Sequence, residues 1–144
     1  MHKIFVTLAF GLLASGCASL TYGPDSAQHE LQQNQQYIVE WIGERPLIDR
    51  SHLSMQLNDA HKADGFAGCN NWFASYRQQQ DRLEFANIAT TRKICAPALM
   101  EQEQRYLEAL SQVQRWDFSD QGQLRLWPAR GAAIRLWPDN TAQE

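Results

Sequence analysis

Two cysteines frame the stretch that most limits how this chain can fold. Cys69 stands in Gly65-Phe66-Ala67-Gly68-Cys69-Asn70-Asn71-Trp72-Phe73-Ala74-Ser75-Tyr76, and Cys95 ends Thr91-Arg92-Lys93-Ile94-Cys95. If they bond, a hairpin is tied to the start of the helix that follows, and the rest of the domain must be built on that tie. In an oxidising compartment two cysteines in one small domain are more often a disulfide than two thiols. A buried pair of unreactive thiols is the alternative. Closing a loop of this length contributes about 3 kcal/mol in the chain-entropy model, a sizeable part of a small domain's stability. A thioredoxin-like redox role needs a closely spaced cysteine pair, which the chain lacks.

The N-terminus gives the compartment. His2 and Lys3 precede an apolar run from Ile4 to Leu13, too short to span a bilayer, and Ala14-Ser15-Gly16-Cys17 follows. This is a secretory signal over residues 1–16. Small residues before a cysteine resemble the bacterial lipobox, in which Cys17 is acylated and becomes the new N-terminus. An ordinary signal cut near Gly16, leaving a free thiol, is the alternative. Lipidation also leaves Cys69 and Cys95 as an even pair. Several acyl chains hold a protein on a membrane far better than one. Ala18 is not the aspartate that retains lipoproteins at the inner membrane. The expected address is therefore the outer membrane, lipid-anchored and facing the periplasm.

The 144 residues leave room for one domain after the leader. With 13 basic and 16 acidic side chains the net charge is −3, which is not the footprint of a nucleic-acid binder. Residues 17–36, rich in glutamine with Gly23-Pro24-Asp25-Ser26 as a breaker, read as a flexible linker.

Tyr37 to Ile42 is β-branched and aromatic, and His52 to Asn58 alternates with Leu53, Met55 and Leu57 on one face. Asp59 to Gly65 reads as a polar turn, so the third strand is expected to start near Phe66. Gly65 and Gly68 suggest a bulge or a close backbone approach. Leu83 and Phe85 mark a fourth strand. Pro97 opens the one long helical pattern, with Leu99, Met100, Tyr106, Leu107, Leu110 and Val113 as its apolar stripe. Glu101 and Glu103 fall where the helix dipole favours negative charge. Trp116 and Phe118 are expected to face inward on a fifth strand. Leu124-Arg125-Leu126-Trp127-Pro128 is then echoed by Ile134-Arg135-Leu136-Trp137-Pro138, which reads as a hairpin. Residues 139–144 form an acidic tail. Four strands, one helix and three strands predict an α+β fold: a curved antiparallel β-sheet or partial barrel packed on one main α-helix.

Chemistry is sparse. His52 and His61 lack the short paired spacing of structural zinc ligands and read as solvated, so no metal is expected. Cys69 beside Asn70 and Asn71 lacks a dedicated base, and no nucleophile elbow or phosphate-binding glycine loop occurs. No cofactor and no catalytic residue is expected. Trp127 and Trp137 lie opposite in phase to Leu126 and Leu136, which makes them candidates for a partner surface, with simple packing at the sheet's rim as the alternative.

Gly68-Cys69-Asn70, Thr91-Arg92-Lys93-Ile94-Cys95, and Met100-Glu101-Gln102-Glu103 with Tyr106-Leu107-Glu108-Ala109-Leu110 resemble the META domain, the family that includes the bacterial heat-shock protein HslJ. Tyr37-Ile38-Val39, Gly43 and Pro46-Leu47 are similar to its start, so the likeness covers residues 37–138. It departs at Tyr37, where tryptophan is common, and at Ala74, where glycine is common. The resemblance marks Gly68, Asn70 and Thr91 as family-motif residues and implies a curved antiparallel sheet around a helix. It also implies an envelope protein linked to stress or drug tolerance, without established enzymatic activity. The expected role is thus a non-catalytic lipoprotein supporting envelope integrity by binding or scaffolding. A pilotin-like or chaperone-like module that grips a peptide or lipid is the alternative.

Overall fold

A computed structural model describes residues 30–141. The leader, Cys17 and the first part of the expected linker lie outside the described residues. No described helix is long and apolar enough to cross a membrane.

The strands are β1 (Gln36–Ile42), β2 (Arg45–Pro46), β3 (Ser54–Leu57), β4 (Lys62–Phe66), β5 (Asn71–Gln79), β6 (Arg82–Thr90), β7 (Val113–Phe118), β8 (Leu124–Pro128) and β9 (Ile134–Pro138), with helix α1 (Pro97–Ser111) between β6 and β7. All neighbours are antiparallel, in the order β1-β3-β4-β5-β6-β7-β8-β9. β9 then pairs back on β1, with Val39 opposite Leu136 and Ile42 opposite Ile134. The sheet is therefore closed into an eight-stranded barrel, which corrects the expectation of an open or partial one. Right-handed twist accumulates across successive strands until first and last meet, and closure removes both free edges. β2 is a short arm folded back on the far end of β1.

Alternation fills the interior. Tyr37, Val39, Leu53, Met55, Leu57, Trp72, Ala74, Tyr76, Leu83, Leu124, Leu126, Ile134 and Leu136 are all buried, and the residues that alternate with them are exposed or half-buried, apart from the buried Ser54. Trp116 and Phe118 are half-buried and pack against this core, as their phase predicts. α1 lies across one mouth of the barrel. Pro97 starts it without needing a hydrogen bond to its nitrogen, and Tyr106 and Leu110 go fully inside. Trp72 meets Tyr106 and Phe85 edge-on at ring separations of 6.0 and 6.1 Å.

Several expectations are corrected. Lys62–Phe66 is a strand, where a polar turn was expected, and the next strand begins only at Asn71. In Lys62–Phe66 the first two outward positions, Lys62 and Asp64, are charged and the inward ones are the small Ala63 and Gly65, so the composition imitates a turn. Gly65 is where the backbone approach is closest: a Cβ there would stand 2.0 Å from the Ser54 carbonyl oxygen. Val113 belongs to β7, not to the helix, and the buried helix positions beside Tyr106 and Leu110 are the polar Gln102 and Glu103. Glu103 is drawn inward by a hydrogen-bonding partner rather than serving the helix dipole.

The last residues of the expected linker pack on the folded domain. Leu31 is buried, the Asn34 N–H donates to Leu57 O at 2.6 Å, and the Gln33 amide donates to the Tyr76 hydroxyl at 3.4 Å. Residues 31–35 thereby cover the mouth opposite α1. At the other end of the chain, the Asp139 N–H donates to Gln36 O at 2.8 Å, so the tail starts bound to β1.

Candidate functional site

The motif residues form a polar clasp at the α1 mouth. Gly68 has φ +101°, a left-handed conformation that turns the chain out of β4, and Cys69 is bonded to Cys95 across 26 residues of sequence. Asn70 is 2 % exposed and uses every polar atom. Its N–H donates to Glu103 Oε2 at 2.7 Å, and its amide nitrogen donates to Glu103 Oε1 at 2.9 Å and to Lys93 O at 3.2 Å. Its amide oxygen accepts from the Thr91 hydroxyl at 2.9 Å and the Lys93 N–H at 2.6 Å. Gln102, fully buried, accepts from the Ile48 N–H at 2.7 Å and donates to the Ser51 hydroxyl at 2.9 Å. Three segments and the helix are thus joined by satisfied buried groups. A carboxylate beside a thiol can suggest catalysis, yet here the thiol is in a disulfide and the carboxylate holds a backbone turn.

Burial pushes the Tyr106 phenol well above its ordinary value. Its hydroxyl donates to the Ser54 carbonyl at 3.3 Å, which also accepts from Trp72 Nε1 at 3.0 Å. Tyr37, near the opposite mouth, is raised by the same desolvation, opposed by the Gln32 N–H that donates to its hydroxyl.

The outer wall carries the second cluster. Trp127 and Trp137 are half-buried rather than fully exposed, and each is anchored. Trp127 Nε1 donates to Asp117 Oδ1 at 3.0 Å, and Trp137 Nε1 donates to Glu40 Oε2 at 3.0 Å. Arg115 and Arg125 lie over the Trp127 ring at 5.3 and 5.5 Å from its centroid, and Arg135 lies over Trp41 at 4.3 Å. Arg125 also pairs with Asp117 at 2.6 Å. Arg125 and Arg135 stand directly opposite each other across β8 and β9, and Arg82 stands opposite Arg115 across β6 and β7. The two tryptophans were expected on this wall, whereas its arginines were not. The signal was present in the echoed Leu-Arg-Leu-Trp-Pro and Ile-Arg-Leu-Trp-Pro, which place each arginine in phase with its tryptophan.

A cavity of about 230 Å³ lies between the C-terminal half of α1 and the barrel rim, lined by Ile42, Arg105, Ala109, Pro128, Arg130 and Ile134. Among the described residues no three His, Cys, Asp or Glu side chains gather as a metal site. His52 and His61 are exposed. Cys17 lies outside the described residues.

No curated protein sequence matches the chain. Two solved structures share its fold. An NMR structure of a protein from Burkholderia xenovorans has 21% sequence identity and a TM-score of 0.67, over 89% of this chain and 99% of that one. A second NMR structure has 22% identity and a TM-score of 0.60, over 76% of this chain and 92% of that one. The META domain family model matches residues 29–141. That span begins ahead of the buried Leu31 and ends past β9, so it encloses the clasp, the helix and the strand that closes the barrel. The chain belongs to the META domain family.

Proposed function

We propose that this chain is a non-catalytic, lipid-anchored protein of the outer membrane, facing the periplasm, whose META domain supports envelope integrity or stress tolerance by binding or scaffolding. The observation that carries the reading is the saturation of the family-motif residues. Cys69 is in a disulfide, and the Asn70 side chain makes four hydrogen bonds that leave it no free donor or acceptor position. The motif therefore builds a mouth-closing clasp, and function falls to location and to the outer wall. The leader ending at Cys17 supports the location. Radiolabelled palmitate should enter the wild-type protein, which should sediment with the outer membrane, and should not enter Cys17→Ala. Equal labelling of the two proteins, or recovery of the wild type in the soluble periplasm, would overturn it.

A further inference from the structure

We propose that the outer wall formed by β7, β8, β9 and β1 docks on a membrane surface bearing anionic phospholipids. This deepens the membrane location proposed above and rests on it.

The charges on that wall are arranged against its own stability. Arg125 faces Arg135, and Arg82 faces Arg115, with like charges directly across a strand pair. Such pairs are unfavourable in a sheet. Of the two acids on the wall, Asp117 offsets Arg125 alone and also accepts from Trp127, while Glu40 accepts from Trp137 and Gln123, so neither is paired with Arg115 or Arg135. Arg115 and Arg135 make no ion pair with any described residue and rest on tryptophan rings. Stacking holds the guanidiniums in place and leaves their edges free to donate, which is the geometry that binds phosphate in a forked contact.

The same stacking argues against a sugar-binding wall, because the Trp41 and Trp127 faces already carry arginines. The outside of a closed barrel is convex across these four strands, so it offers an extended surface to an extended partner and no groove to a peptide. Tryptophans with an apolar body and an anchored N–H, set among arginines, match the layer where lipid headgroups meet acyl chains. The chain as a whole is negative, so its net charge does not account for this positive wall.

The test uses the protein exported behind an ordinary cleavable leader and carrying Cys17→Ser, so that no acyl chain contributes to binding. It should sediment with vesicles containing about one quarter phosphatidylglycerol and much less with phosphatidylcholine alone at roughly 0.1 M salt. Arg115→Glu with Arg135→Glu should weaken this binding about tenfold or more. Arg50→Glu with Arg92→Glu, an identical charge change at exposed positions off the wall, should change it far less. If the reversals disturb the fold by circular dichroism, Arg115→Gln with Arg135→Gln replaces them and should still weaken binding more than the same changes at Arg50 and Arg92. Brominated lipid should quench tryptophan fluorescence, and quench it less in Trp127→Phe with Trp137→Phe.

Equal loss from both arginine pairs, no preference for anionic vesicles, or quenching unchanged by the tryptophan substitutions would overturn the proposal. Failure here with palmitate labelling intact removes the docking wall and leaves the anchor. Vesicle binding without labelling removes the anchor and leaves the wall.

Discussion

Asn70 has no tolerable isostere at its position, since each of its polar atoms meets a partner of one kind only. Asn70→Asp keeps the shape but replaces the amide nitrogen that donates to Glu103 with a second carboxylate oxygen. Two carboxylates would then face each other in a buried site, and Lys93 O would lose a donor. The cost should be about 3 kcal/mol or more, read as a lowered urea midpoint at neutral pH. Because two close carboxylates relieve their repulsion by sharing a proton, part of the loss should return as the buffer is taken down towards about pH 5. An unchanged midpoint would show that the clasp does not hold the mouth closed. Glu103 was readable as a helix residue but not as Asn70's partner. Its place between Tyr106 and the helix start fits the inward stripe, yet an acid in an apolar stripe is found only once its partner is known.

At the scale of elements, the tie between Cys69 and Cys95 joins the β4–β5 connection to the segment that leads into α1. Replacing both cysteines by serine should cost about 3 to 4 kcal/mol in the chain-entropy model for a loop of 26 residues. It should also steepen the urea dependence, since an uncrosslinked unfolded chain exposes more surface. A midpoint within error of wild type would mean that the clasp alone fixes this junction. The elements with strong alternation were legible: β1, β3, β6, β8 and β9 are near where their β-branched and aromatic residues put them. β4 was not, because Gly65 is needed where the chain passes against Ser54, and glycine in a polar segment reads as a turn. Leu31 was missed for a related reason. A single apolar residue among glutamines has no period, and only the open barrel end it covers gives it a function.

Taken whole, the molecule is a barrel with α1 over one mouth and residues 31–35 over the other, and each mouth has a buried tyrosine. Both phenols are raised, so the unfolded chain loses their protons first as pH rises. With fewer protons bound in the unfolded state, stability is fully present below about pH 10 and falls above it. Each group should contribute a slope of up to about 1.4 kcal/mol per pH unit until its folded value is passed. Urea midpoints between about pH 9 and pH 11 should fall for wild type and fall less for Tyr106→Phe, which keeps the ring against Trp72. Parallel slopes for the two proteins would place the alkaline sensitivity elsewhere. Closure itself was beyond the sequence, because which strand pairs with the first depends on twist summed over the whole sheet.

The pairing of β1 with β9 also sets an order in time. The wall is incomplete until Ile134–Pro138 has been made and has reached the strand laid down nearly a hundred residues earlier. Before that strand is made there is no finished barrel to fold into, and the slowest contacts are those that join the barrel's first and last strands. The closing strand thus acts as the latch of the barrel, and of the strands in the barrel it is the one made last.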